Sequence, residues 1–186
     1  MTTTYSSALS PEYALLGFLA QQPAHGYQLY HRLVDDLGQV WHISLSQTYT
    51  ILKRLESQGF ITGEMQTQEK LPARQQFRLT GTGRQHLEKW LKASSGSSVR
   101  SIRVEFITRL YFASLLGPDF PHQIVTLQIE AAQSGVERLE RLLQDMPASQ
   151  TFNRLSLDLR IRQLRAVLDW LSEVQQTLNT NPSLRM

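Results

Sequence analysis

Between Gly59 and Thr80 the chain abandons the helical rhythm found on either side. Phe60-Ile61-Thr62 reads as a strand, and Gln75-Gln76-Phe77-Arg78-Leu79 alternates with period two. Pro72 lacks the N–H that a central ladder needs, which makes Gln66 to Arg74 a long hairpin tip. Three helical patterns precede this hairpin. The first opens at Ser10-Pro11-Glu12, where serine suits an N-cap, proline the first helical position and glutamate the positive end of the dipole. Its apolar face is Leu15, Leu16 and Leu19, and it ends at Gln21-Gln22-Pro23. The second follows His25-Gly26, with Tyr30, Leu33, Val34 and Leu37 at core-facing spacing and Gly38 as its stop. The third starts around Ser44 or Ser46, carries Leu45, Leu52 and Leu55 on one side, and closes at Gly59. After the hairpin, Thr80 caps a helix bearing Leu87, Trp90 and Leu91. Helix, helix, helix, hairpin, helix is the order of a winged helix-turn-helix.

Ser94-Ser95-Gly96-Ser97-Ser98 has the composition of a flexible linker and divides the chain. The expected organisation is a winged helix over residues 1–93, a linker over 94–98 and a helical domain over 99–186. In that second domain one helix is expected from Val99 to Leu116, a second from Pro121 to Asp145 and a third from Ser149 to Leu178. The fold class is mainly α, with a small α+β N-terminal domain.

Composition narrows the function classes. With 41% hydrophobic residues, 186 residues can build a core. Without cysteine there is no disulfide, thiolate zinc site or thiol nucleophile, in keeping with a cytoplasmic protein. Met1 to Ser10 lacks the basic and apolar regions of a signal peptide, and no apolar stretch approaches the roughly 20 residues a bilayer crossing needs. The net charge of +3 is compatible with nucleic acid but does not select it.

The third helix does more to select it. At 100° per residue, Leu45, Ile51, Leu52 and Leu55 face inward, while Ser46, Gln47, Thr50, Lys53, Arg54 and Ser57 collect on the other side. A helix entering the major groove needs that division. Gln47 and Arg54 suit bidentate base contacts, Ser46 and Thr50 allow close approach, and Lys53 suits a phosphate. Ser44, Ser46 and the first-turn amides suit a phosphate too. The recognition helix is thus expected over residues 44–58 and a wing over 62–79. Lys70, Arg74 and Arg78 supply that wing with cations for the backbone or minor groove, partly offset by Glu64 and Glu69.

In the N-terminal half, the residues resemble the PadR family of transcriptional regulators. The resemblance runs through Glu12-Tyr13-Ala14-Leu15-Leu16-Gly17, Pro23-Ala24-His25-Gly26-Tyr27-Gln28-Leu29, Trp41 and Ser44, then Gln47-Thr48-Tyr49-Thr50-Ile51-Leu52-Lys53-Arg54-Leu55-Glu56-Ser57-Gln58-Gly59-Phe60-Ile61. Phe77-Arg78-Leu79-Thr80, Gly83 and Leu87-Glu88-Lys89-Trp90-Leu91 complete it. The second half is similar to the helical dimerisation region of AphA-type virulence activators, through Arg103-Val104-Glu105-Phe106, Leu110-Tyr111-Phe112-Ala113, Arg160-Ile161-Arg162 and Trp170-Leu171. The resemblance implies a homodimeric DNA-binding regulator, with repression the expected sign although the residues themselves do not distinguish it from activation. It places Tyr49 with its neighbours, Thr48 among them, and His25 and Tyr27 at the DNA surface. Thr50 stands where the family often has proline, a departure that bears on base preference.

His25 reads as a structural or phosphate-contacting residue at the start of the second helix, because no other histidine lies at metal-ligand spacing from it. The histidines at 25, 31, 42, 86 and 122 form no ligand set, Asp35 and Asp36 point apart on a helix, and no nucleophile elbow, Walker or dinucleotide motif is present. No catalytic residue, metal or cofactor is expected.

Along the last helix, Leu157, Ile161, Leu164, Leu168 and Leu171 form a stripe widened by Val167, Val174 and Leu178. The expected cover is a second subunit, which would set two recognition helices about 34 Å apart on a palindromic operator. The competing readings are a monomeric three-helix bundle and an amphipathic membrane helix. Arg160, Arg162 and Arg165, interspersed with Asp158, Asp169 and Glu173, speak against the membrane. A small-molecule effector or partner protein that shifts the packing of Val99–Leu116 and Thr151–Leu178 would change DNA affinity, with Tyr111, Phe112, Phe106 and Trp90 as pocket linings or plain core. The alternative from another class is a winged-helix scaffold for protein interaction that never touches DNA.

Overall fold

A computed structural model describes residues 10–68, 71–93, 95–117 and 119–180, which fall into two compact units, Met1–Ala93 and Ser94–Met186. The first contains α1 (Glu12–Gln21), β1 (Ala24–His25), α2 (Gly26–Leu37), α3 (Leu45–Ser57), β2 (Ile61–Gln68), β3 (Leu71–Leu79) and α4 (Gly81–Leu91). The three strands form one antiparallel sheet in the order β1-β3-β2.

α1 is the hub of this unit. Ala14, Leu15, Leu16 and Phe18 are completely buried, and α2, α3, α4 and β3 all pack against the helix. Burial of each Leu or Phe side chain contributes about 1.5–3 kcal/mol. Pro11 rather than Ser10 holds the N-cap of α1, with no side-chain cap, and Ser10 instead accepts a hydrogen bond from Arg54 at 3.2 Å. α4 begins as its sequence indicates, with Gly83 N–H donating to the Thr80 hydroxyl at 3.0 Å. Gly59 ends the turn after α3 at φ 74°, which a side chain would resist. A stack of rings, Trp90 on Tyr13, Tyr13 on His86 and His86 on Phe60, fastens α4 to α1 and to the foot of the hairpin.

The hairpin is longer than its sequence suggests. Residues 66–68 and 71–74, expected in the tip, belong to the strands, with Gln66 opposite Arg74 and Gln68 opposite Leu71. Pro72 is accommodated because two β3 residues, 72 and 73, oppose one β2 residue, 67, in a bulge. β1 reaches β3 only at Phe77 and Gln76, so it makes no ladder at Pro72. Two residues carry no periodic signal, so β1 is invisible in the sequence.

In the second unit α5 spans 99–114, with a π-helical turn at Ile102–Phe106 between Val99–Ser101 and Ile107–Ser114. α6 (Asp119–Asp145) and α7 (Thr151–Thr180) follow as a helical hairpin. Arg154 closes that hairpin by donating to the Leu143 carbonyl at 2.9 Å and the Met146 carbonyl at 2.6 Å. Ser95–Ser98 is an anchored strap rather than a free linker; Ser94 lies outside the described residues. Ser95 is fully buried, takes a hydrogen bond from buried Arg109 on its hydroxyl, and donates its N–H to the Gln128 side chain at 3.2 Å. Ser98 caps α5 by accepting from Ser101 N–H at 3.1 Å.

The stripe assigned to dimerisation is corrected here. Leu157, Ile161, Leu164 and Leu171 are buried within this unit, against Ile102, Phe106, Ala113, Ile124, Val125, Ala132, Val136 and Leu139, and Leu168 packs at the edge of the same cluster. One subunit's own α5 and α6 cover the stripe. Phe106 is fully buried and Phe112 nearly so, as core of this unit rather than pocket lining. Among the described residues, no helix is long and apolar enough to cross a membrane.

Candidate nucleic-acid interface

α3 starts with a reciprocal cap. The Ser44 hydroxyl accepts from Gln47 N–H at 3.2 Å, and the Gln47 side-chain oxygen accepts from Ser44 N–H at 2.8 Å. Gln47 is therefore not free for the bidentate base contact read from its position, and Ser44 serves the helix first. Thr48, placed at the DNA surface by resemblance, is fully buried and donates to the Ser44 carbonyl at 3.1 Å. With Ile51, Leu52 and Leu55 it forms the inward face.

Arg54 also has a different task. It forms an ion pair with Glu12 of α1 and reaches Ser10, so its guanidinium ties α3 to α1 instead of projecting toward a base. The outward surface that remains is Ser46, Tyr49, Thr50 and Lys53, all exposed. Thr50 donates to the Ser46 carbonyl at 3.1 Å, so its hydroxyl is engaged within the helix. Lys53 has no ion-pair or hydrogen-bond partner among the described residues. The one carboxylate on α3, Glu56, is turned toward the hairpin, accepting from Gly63 N–H at 2.8 Å and from the Gln75 side chain at 3.2 Å. That orientation keeps negative charge off the outward face and fixes α3 against both strands of the wing. Glu56 was not singled out by sequence, because nothing in its spacing marks a partner seven or nineteen residues away.

Tyr49 lies across the start of α2. A Cβ at Gly26 would come within 2.5 Å of the Tyr49 ring, so glycine is what lets the ring pass there. Tyr49 stays 44% exposed; Tyr27, 55% exposed, packs on His31 with ring centroids 4.2 Å apart. His25 links the same helix start to the wing, its Nδ1 donating to the Gln75 carbonyl at 3.1 Å while its backbone N–H donates to Gln28 at 2.9 Å. These two bonds tie His25 to the wing and to the first turn of α2.

On the wing, Arg74 is exposed and without a partner among the described residues. Arg78 is partly neutralised, at 3.5 Å from Glu64 and 3.3 Å from the Gln76 side chain. Lys70 lies outside the described residues. Among the described residues no group of three or more His, Asp or Glu side chains is placed to hold a metal ion.

The arrangement is that of a winged helix-turn-helix domain, with α3 in the recognition position and β2–β3 as the wing. Residues 15–89 match the Transcriptional regulator PadR-like family, and residues 102–179 match the Virulence activator alpha C-term family. The chain is 29% identical over 138 residues to the negative transcriptional regulator PadR of Bacillus subtilis, covering 74% of this chain and 75% of that protein. It is 26% identical over 188 residues to a probable transcriptional regulator of Mycobacterium tuberculosis, covering 89% of this chain and 96% of that one. Among solved structures, Bacillus subtilis PadR in complex with operator DNA aligns with a TM-score of 0.45 at 26% identity, over 90% of this chain and 96% of that chain. Residues 15–89 therefore form a domain of the PadR-like transcriptional-regulator type.

Proposed function

We propose that the protein represses transcription in the cytoplasm, without catalytic activity, by binding duplex DNA as a homodimer. α3 enters the major groove through Ser46, Tyr49, Thr50 and Lys53, and the wing meets the backbone through Arg74 and Arg78, with Lys70 four residues before Arg74 in sequence. The observation that carries this reading is the charge arrangement of α3: its one carboxylate is turned inward onto the wing while Lys53 stands outward and unpaired. A solvated surface helix has no need to remove acid from one face. Repression as the sign of regulation is supported by the similarity to a negative regulator.

Dimerisation is assigned to the outer face of α7 rather than the inner stripe. Phe152 is 86% exposed, Leu155 59% and Leu159 56%, at 3-4 spacing on one side of the helix, and Trp170 continues that side. A second copy covering these residues pairs two recognition helices about 34 Å apart.

Fluorescence anisotropy with the duplex upstream of the protein's own gene tests the proposal. Binding is expected to weaken linearly in log–log form as salt rises from about 50 to about 200 mM. Tyr49→Ala is expected to remove specific binding without unfolding the domain. Salt-insensitive binding, or equal affinity for Tyr49→Ala and the natural chain, refutes the reading and favours an interaction scaffold.

A further inference from the structure

In the second unit a cavity of about 370 Å³ is lined by Ser97, Ser98, Arg100, Arg103, Arg160 and Gln163, with Val99 and Leu139 as its apolar part. Three guanidinium groups from α5 and α7 thus share one concavity, and no carboxylate lines it. A fourth, Arg138, donates to the lining residue Ser97 at 3.4 Å.

The arginines of this cavity differ from their neighbours. On α7, Arg162 pairs with Asp158 at 2.7 Å and Arg165 with Glu140 at 2.5 Å. Arg100, Arg103 and Arg160 have no acidic residue three or four positions away on their helices, and no ion pair or hydrogen bond among the described residues. Arg100, Arg103 and Arg160 are exposed, so solvent screens their mutual repulsion, while the positive potential they share favours an anion in the cavity. Guanidinium forks match the geometry of phosphate and carboxylate oxygens.

We propose that this cavity is a binding site for a small polyanionic metabolite, one bearing phosphate or several carboxylate groups, held by Arg100, Arg103 and Arg160. Gln163 and Ser98 supply neutral hydrogen bonds, and Leu139 with Val99 receives the ligand's carbon skeleton. A ligand there bridges the start of α5 to α7 and rests on the strap residues 97 and 98, which follow the winged half in sequence. Its regulatory meaning rests on the reading of the protein as a DNA-binding regulator; the binding itself does not.

The test is a thermal melt of the full chain with inorganic pyrophosphate and, separately, citrate, each against sodium chloride of matched ionic strength. Either anion at millimolar concentration is expected to raise Tm by several degrees, and Arg103→Gln/Arg160→Gln to reduce that rise at least fourfold. A response to pyrophosphate alone assigns phosphate chemistry, and a response to citrate alone assigns carboxylate chemistry. Lys53→Gln/Arg74→Gln, on the proposed DNA face, is expected to keep the full rise, and so is Arg162→Gln. Should the first pair change the unliganded Tm, Arg103→Lys/Arg160→Lys serves as its charge-preserving counterpart and is expected to restore at least half of the rise. No rise with either anion, a rise lost with Lys53 and Arg74 instead, or a loss shared by Arg162→Gln overturns the proposal. Because DNA is absent from the melt, these outcomes are independent of whether operator binding succeeds.

Discussion

α3 and α7 are both amphipathic helices with a clear apolar stripe, yet they put their outer faces to different uses. On α3 the inner face, Thr48, Ile51, Leu52 and Leu55, is sealed, and the outer one is polar and cleared of acid. On α7 the inner stripe is sealed by the same unit, while the outer face still carries Phe152, Leu155 and Leu159 in the open. Periodicity reports that a face is buried; it does not report what buries it. The informative residues on each helix are the ones that break the amphipathic pattern: an inward glutamate on α3 and outward leucines on α7.

The largest effect expected from this contrast is on folding. Leu164→Ala removes a fully enclosed side chain and is expected to destabilise the second unit by about 2–5 kcal/mol in urea unfolding. Leu159→Asp, on the exposed side, should leave chain folding nearly intact but shift the sedimentation coefficient toward a single subunit. If the two variants behaved alike, the distinction between inner and outer stripes would be lost.

The next effect separates two adjacent cations on α3. Lys53→Gln is expected to weaken DNA binding uniformly across sequences and lower the salt slope by about 1 in anisotropy titrations. Arg54→Gln should leave the slope unchanged and lower stability by less than about 1 kcal/mol, since its ion pair with Glu12 is half exposed. A reversal of these two outcomes would return Arg54 to the DNA surface.

Glu56→Gln gives a smaller change. It keeps the shape but weakens two hydrogen bonds to the wing, and an expected loss of about 1 kcal/mol in stability should accompany faster amide exchange at Gly63. Unchanged exchange would show that the wing is held by other contacts.

Much of this was legible in the chain. Ser44 and Thr80 announce two helix starts because their caps lie within three residues. The hairpin and the three C-terminal helices follow from period alone. What escaped were contacts between residues distant in sequence: Arg54 with Glu12, Glu56 with Gln75, and Ser95 with Arg109 and Gln128. A serine-rich strap and a free linker have the same composition, and only the buried polar partners distinguish them. Pro72 misled because a bulge removes the rule that excludes proline from a ladder.

The smallest effect concerns His86. Burial lowers its pKa below the ordinary value of 6.5, Glu12 opposes that shift and Lys89 adds to it. The unfolded imidazole therefore binds a proton more readily than the folded one. The stability this residue contributes is present above about pH 6.5 and is lost as pH falls through the lower folded value. Melts between about pH 8 and about pH 5 should show that decline, and His86→Phe should flatten it.

Hydroxyl-radical footprinting on the operator duplex tests the central claim most directly. Two protected patches on one face of the helix, about 10 base pairs apart and both absent with Tyr49→Ala, are the expected result. A single patch, or no protection where the chain is bound, would contradict a dimer that presents paired α3 faces to successive grooves.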